Sequence, residues 1–321
     1  MKYWFSYFLS VVLLSVIFSL FLWFFTPDSQ KQQSLTSPLP EFLSLAKNKQ
    51  VTILDLWEPV LEVLGANSAK MPEVTAQSAL MYDLSANKVL YEKDARERLP
   101  MASLTKIMTA IVAIENKQED DEYIVRPESL VGEDSMGLTS GEVLTLEELL
   151  YGLLLPSGND AAETLAGNYQ SGRGGFISAM NDKAKALGLK NTNFTNPSGL
   201  QGDGNQYTTA HDLLVITKYA VDTYPILTEV TSTSEKQLPQ TATHKEFYLY
   251  NETNLITSYP GVRGIKTGYT PEAGLCLVTY LEYDGHKIVG ILLNSQKRRE
   301  EMKELLDYSL RELGTTPPSH S

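Results

Sequence analysis

The chain has 321 residues, 42% of them hydrophobic and 21% charged, with a formal net charge of −12. That length accommodates one large domain or two ordinary ones, and the apolar share excludes intrinsic disorder over most of it. An acidic balance without a basic run excludes a nucleic-acid partner. The single Cys276 excludes an intrachain disulfide, and no Cys/His cluster has metal-ligand spacing, so no metal or other cofactor is expected.

Residues 3–25, YWFSYFLSVVLLSVIFSLFLWFF, carry no charge, Pro or Gly. A helix of about 23 such residues spans roughly 30 Å of hydrocarbon. A cleaved signal peptide shares the basic start and apolar centre, but Leu22, Trp23, Phe24 and Phe25 offer no small-x-small cleavage site. The run therefore reads as one uncleaved transmembrane helix. Lys2 places the amino terminus inside, which puts the remainder of the chain outside the cytoplasm. Residues 26–40, polar and bounded by Pro27 and Pro40, read as a linker. In 41–65 the apolar residues Ile53, Leu56, Trp57, Val60, Leu61 and Leu64 recur at helical spacing, which predicts one or two short helices packed onto the main domain.

The folded domain is expected from about Pro72. SALMYDL (78–84) and KVLYEK (88–93), separated by Ser85, Ala86 and Asn87, predict a hairpin. Helical patterns follow: Leu104, Ile107, Met108, Ile111 and Ile114 make one stripe, and LTLEELLYGLLL (144–155) a second, more buried helix. After Tyr224 the texture is β again, in FYLY (247–250), GLCLVTYLEY (274–283) and HKIVGILLN (286–294), with Asp284-Gly285 as a tight hairpin turn. A last helix over 297–313 puts Met302, Leu305, Leu306 and Leu313 on one face. Strands, helices, strands and a helix predict an antiparallel sheet built from both ends of the domain around a helical insertion, an α/β (α+β) fold. The boundaries expected are 1–26 for the anchor, 27–71 for the linker and juxtamembrane segment, 72–314 for the folded domain and 315–321 for a tail.

Three short motifs stand in order: Ser103-Leu104-Thr105-Lys106, Ser157-Gly158-Asn159 and Lys266-Thr267-Gly268. Each alone is ordinary, since Ser favours helix starts and Ser-Gly-Asn is common turn chemistry. Ser44-Leu45-Ala46-Lys47 even repeats the first spacing without companions. Ser103 opens the first striped helix, and Lys106, three residues on, shares its face. For Lys106 to take a proton from Ser103 it must be neutral. At an ordinary pKa this costs about 4.6 kcal/mol at pH 7, so burial and a second ammonium, for which Lys266 is the candidate, must depress it. Ser157 is placed to relay a proton to a leaving amine, and the Asn159 amide to bind both Lys106 and a substrate carbonyl. Lys266 and Thr267 can grip a carboxylate on an edge strand where Gly268 permits close approach. The N–H groups of Tyr269 and Ser103 can form an oxyanion hole.

Taken jointly, Ser-x-x-Lys, Ser-x-Asn and Lys-Thr-Gly are the signature of penicillin-binding proteins and class A β-lactamases. MASLTKIMTAIVAIE, LTLEELLYGLLLPSGNDAAETLAG, NPSGL and GVRGIKTGYT closely resemble the serine-type D-alanyl-D-alanine carboxypeptidases, the low-molecular-mass penicillin-binding proteins, over about 72–313. The resemblance implies a five-stranded antiparallel sheet flanked by helices plus a largely helical subdomain, with the site between them. It makes Ser103 the acylated nucleophile, Lys106 its base, Ser157 and Asn159 the second pair, and Lys266, Thr267 and Gly268 the strand that aligns substrate. Peptidoglycan stem peptides are the implied substrate and β-lactam antibiotics the implied inhibitors. A D,D-endopeptidase, a β-lactamase or a non-catalytic wall-binding module remain alternatives on the same scaffold. Tyr269 departs from the family, where His is frequent. His211-Asp212 reads as a helix start, Cys276 as a buried core thiol, and the basic run Lys297-Arg298-Arg299 as a solvated helix start.

Overall fold

The expected hairpin forms from β1 (Ser78–Asp83) and β2 (Lys88–Lys93) in a computed structural model that describes residues 57–59, 71–200 and 205–320. A 3-10 turn, Ala102–Leu104, leads into α1 (Thr105–Glu115), which is buried from Thr105 to Ala113. Two short strands, β3 (Tyr123–Ile124) and β4 (Val143–Leu144), pair with each other. Helices α2 (Leu146–Leu154), α3 (Asn159–Gly167), α4 (Gly172–Ala186), α5 (Ala210–Thr223) and α6 (Pro225–Thr231) follow. Next come β5 (Glu235–Leu238), β6 (Phe247–Tyr250), α7 (Leu255–Ser258), β7 (Val262–Thr270), β8 (Gly274–Tyr283), β9 (His286–Ser295) and α8 (Arg298–Glu312).

Five strands make one antiparallel sheet in the order β2-β1-β9-β8-β7, so the two ends of the domain meet at β1–β9. Alternation along the strands separates two cores. Leu80, Tyr82, Val289 and Ile291 face the helices, including Ile107 and Ile111 of α1 and Leu213 and Ile216 of α5. Met81, Ile288 and Leu292 face Met302, Leu305 and Leu306 of α8. The β8–β9 turn carries Asp284 at φ +48° and Gly285 at φ +80°, the left-handed pair a two-residue hairpin requires. β7 is the edge strand anticipated for the Lys-Thr-Gly motif.

Two boundaries differ from the sequence expectation. The second helix starts at Leu146, because Thr145 and Glu148 form a reciprocal capping box and residues 143–144 join a strand pair instead. FYLY belongs to a separate two-stranded ribbon with β5, where Phe247 and Leu249 turn inward and Tyr248 and Tyr250 outward.

Trp57 packs edge-on against Tyr82, with ring centroids 5.4 Å apart, and donates its Nε1–H to Asn87 Oδ1 (3.2 Å). The expected anchor at 3–25, the linker, the Ser44–Lys47 spacing and most of the predicted juxtamembrane helices lie outside the described residues. Among the described residues, no helix is long and apolar enough to cross a membrane.

Leu305 of α8 is fully buried against the sheet. Leu305→Ala is expected to destabilise the domain by about 3 kcal/mol through lost burial and a residual cavity, read as a lower midpoint with unchanged slope in urea unfolding.

Candidate active site

Ser103 sits in the 3-10 turn just ahead of α1 rather than in the first α-helical turn, and the N-cap of α1 is Leu104. Residues three apart where this turn runs into α1 share one face, which sets the Ser103 hydroxyl beside the Lys106 side chain. The turn is entered through Ala102 at φ +47°, a left-handed conformation that costs a non-glycine residue about 1 kcal/mol or more. Lys106 is fully buried, and its Nζ lies 3.0 Å from Ser103 Oγ, 2.7 Å from Asn159 Oδ1 and 2.6 Å from the Ser198 carbonyl oxygen. As an ammonium it donates to all three. As a neutral amine it donates to the two closer oxygens and offers its lone pair to the Ser103 hydroxyl. Burial pushes Lys106 well below the ordinary lysine pKa, and the Lys266 ammonium adds to that push against the opposing pull of Asp134, Glu252 and Asp160.

The second motif is held by a loop the sequence reading did not include. Ser157, buried and at φ +63°, turns the chain into α3. Asn159 then donates its backbone N–H to Asp134 O (2.8 Å) and its side-chain Nδ2 to Gly132 O (3.3 Å), which leaves Oδ1 facing Lys106. Asp160, buried, fixes that loop by accepting from the N–H groups of Met136 (3.0 Å), Gly137 (3.1 Å) and Leu138 (2.9 Å) and from the Ser135 hydroxyl. Ser157 is not among the bonded partners of Lys106.

The NPSGL loop supplies the third partner. Asn196 Oδ1 accepts from Ser198 N–H (3.2 Å) and Gly199 N–H (2.7 Å), a local turn that points the Ser198 carbonyl at Lys106. Gly199 has φ +86°, and a Cβ there would lie 2.0 Å from Ala102 O, so this loop reaches the Ser103 turn only with glycine at that position.

β7 completes the site. A Cβ on Gly268 would lie 3.1 Å from Ser103 N, which shows how closely the strand passes Ser103. Lys266 is fully buried and Thr267 nearly so, whereas the Tyr269 side chain is 61% exposed, which leaves its backbone as the part turned to the site's purpose. Lys266 Nζ has no hydrogen-bond partner, and the nearest carboxylate, Glu252, is 4.0 Å away. Burial pushes Lys266 down to about 8, with Glu252 and Asp134 opposing and Arg298 reinforcing the shift. Arg298 corrects the expectation of a solvated basic run: half-buried, it donates to Gly268 O (2.7 Å) and Cys276 O (3.3 Å) and so braces the strand from behind. Cys276, opposite Gly268 in the ladder, is buried, and burial pushes its thiol up to about 11. His211 and Asp212 open α5, with Asp212 N–H donating to Thr209 Oγ1 (3.0 Å), as a helix start requires.

Ser103, Lys106 and Asn159 are thus directly bonded, and Gly268 abuts them. The residues sequence reasoning missed are Ser198, Asp160, Arg298 and Glu252. Ser198 acts through a carbonyl, which no residue type announces, and Glu252 and Arg298 arrive from other elements. A cavity of about 680 Å³ lies elsewhere, around Asn116, Gln118 and Tyr169 at the far end of α1. A smaller one of about 70 Å³ adjoins the motif, lined by residues that include Glu252, Thr267, Arg298 and Arg299.

The sequence profile of the peptidase S11, D-alanyl-D-alanine carboxypeptidase, family matches residues 65–297, and the chain belongs to that family. It is 36% identical over 251 residues to the D-alanyl-D-alanine carboxypeptidase DacF of Bacillus subtilis, covering 75% of this chain and 64% of that protein's length. The crystal structure of the Streptomyces K15 DD-transpeptidase superposes with a TM-score of 0.71 at 30% identity, over 76% of this chain and all of the other. Penicillin-binding protein D2 from Listeria monocytogenes, in its cefotaxime-bound form, gives 0.66 at 29% identity, over 75% of this chain and all of the other.

Asp160→Ala removes the acceptor of several loop donors and is expected to cost about 3 kcal/mol of stability, measured by denaturant unfolding, and to slow acylation by a fluorescent penicillin at least tenfold. The two lysines predict a bell-shaped acylation profile for benzylpenicillin. The rate rises with pH as Lys106 loses its proton, and falls as pH passes about 8 because Lys266 then loses the charge that attracts the ligand carboxylate. In Lys266→Arg the alkaline fall should vanish, since a guanidinium stays charged; a fall that persists assigns it to another group.

Proposed function

We propose that the chain removes the terminal D-alanine from peptidoglycan stem pentapeptides through an acyl-enzyme on Ser103. The observation that carries this reading is the 3.0 Å approach of Ser103 Oγ to a buried lysine whose pKa burial lowers. Lys106, neutral, takes the hydroxyl proton as Oγ attacks the penultimate D-alanyl carbonyl carbon. The resulting oxyanion is held by the N–H groups of Ser103 and Tyr269. Collapse breaks the C–N bond, and the leaving D-alanine takes the proton from Lys106 by way of Ser157. Water, deprotonated by Lys106, then attacks the ester carbonyl, which frees the shortened peptide and returns the proton to Ser103. Asn159 orients Lys106 and the substrate backbone, and Lys266 and Thr267 receive the terminal carboxylate on the strand that Gly268 lets close.

β-lactams enter the same scheme as acylating inhibitors, and their ring carbonyl meets Ser103. In this reading the catalytic domain, 72–314, works outside the cytoplasm, tethered by a single-pass helix over 3–25 and a linker to 71, with 315–321 as a tail. The uncharged run behind Lys2 supports that arrangement.

Ser103→Ala should abolish both D-alanine release from a pentapeptide, followed by mass spectrometry, and covalent labelling by a fluorescent penicillin. Labelling that survives the substitution would place the nucleophile elsewhere.

A further inference from the structure

The chain ahead of α7 is clamped by Asn251. Its Nδ2 donates to the carbonyl oxygens of Thr231 (3.0 Å) and Thr233 (2.9 Å), and its Oδ1 accepts from Thr253 N–H (2.8 Å). The backbone N–H groups of Asn251 and Glu252 donate to Ser234 O (2.9 Å) and Leu155 O (3.1 Å). Glu252 therefore projects from a fixed backbone, and it projects at the Lys-Thr-Gly strand. Its Oε2 accepts from Thr267 Oγ1 at 3.3 Å and stands 4.0 Å from Lys266 Nζ.

This is a poor structural ion pair. The distance to Lys266 exceeds hydrogen-bond range, the Lys266 donors stay unused, and the Glu252 side chain is 43% exposed toward solvent. The adjoining 70 Å³ cavity also brings Arg298 and Arg299 to the same place, and Arg299 Nε is buried there without a partner. Lys266, buried with its donors spare, thus faces a half-exposed carboxylate that does not satisfy it.

We propose that Glu252 is a specificity-determining residue: its carboxylate stands at the seat where Thr267 and Lys266 grip a substrate carboxylate, so it narrows the site's preference for a free terminal carboxylate over an amidated or esterified one. The inference rests on the reading of Ser103 as nucleophile and of Lys266 and Thr267 as the carboxylate grip. An anionic terminus must displace Glu252 from Thr267 or sit within a few ångströms of it. Like charges at that separation in a partly wet site weaken productive binding on the order of tenfold.

The test uses the full chain in detergent and two matched pairs of ligands: a D-alanyl-D-alanine pentapeptide against its terminal amide, and benzylpenicillin against its methyl ester. In Glu252→Gln the acid-to-amide ratio of kcat/KM and the acid-to-ester ratio of acylation rates should each rise about tenfold, and further in Glu252→Lys. Ratios that stay level across the parent and both variants overturn the role of Glu252 while leaving the acyl-enzyme reading standing. Absence of any acylation of the parent overturns both. The penicillin pair is read by covalent labelling, so it decides the matter even where peptide turnover is slow, and labelling also certifies that each variant is folded.

Discussion

A buried lysine amine is the constraint around which this molecule is arranged. Lys106 Nζ finds its acceptors on three segments far apart in sequence: the turn of Ser103, the start of α3 at Asn159 and the loop at Ser198. An amine stripped of water and left unpaired costs several kcal/mol, so each segment must be delivered accurately. That need explains features which have no purpose separately. Asp160 collects the N–H groups of a loop so that this loop can orient Asn159, and Asn196 curls its own chain so that a carbonyl points inward. The left-handed Ala102 and Ser157 fall at the two bends where the chain must swing a motif into place, and the strain they carry is offset by the packing around them.

Two lysines lie buried in one site, and their surroundings separate them. Lys106 has every donor engaged, whereas Lys266 has none. The first environment suits a group that exchanges a proton with a fixed neighbour. The second suits a group waiting for an anion from outside, since its unmet donors gain most when a ligand arrives. Burial lowers the attraction of Lys106 for a proton more than the nearby Lys266 ammonium does. Sequence reasoning gave repulsion and burial equal standing; the absence of water around both groups decides the order.

The architecture was legible where periodicity was clean. β1, β2, β8 and β9 are short apolar runs bounded by turn residues, Asp284-Gly285 is a tight-turn pair, and the apolar stripes of α1 and α8 face the sheet. Legibility failed where tertiary pairing overrode local pattern. Residues 143–144 carry a helical pattern but pair with β3, and FYLY reads as a strand without revealing that its partner is β5. In the site, motif order singled out Ser103, Lys106 and Asn159, which the structure brings into one hydrogen-bonded group, and Lys266, which lies buried on the strand that passes Ser103. Ser198 was not singled out, because a carbonyl belongs to every residue, and Arg298 was not, because a helix-start arginine is ordinarily solvated and only the strand beside it shows otherwise. Glu252 is hidden for a third reason: its neighbours Asn251 and Thr253 look like turn chemistry, and the turn's direction is a tertiary fact.

The topology ties the chemistry to complete folding. β1 pairs with β9 across some two hundred residues of sequence, and β7 reaches Ser103 only after β8 and β9 have fixed the sheet edge. The motifs come from the start, middle and end of the domain, so no partial structure holds Ser103, Asn159 and Lys266 together. Loop closure over such distances must precede any contact that rewards it, and a partly folded chain therefore exposes a lysine that is solvated, protonated and inert as a base. A chain with one buried cysteine has no disulfide to hold the pieces near each other while this happens. The two cores on either face of the sheet must supply that cohesion, which is why α8 matters to the chemistry: its apolar side seals one face of the sheet while Arg298 at its start braces the strand that carries Lys266.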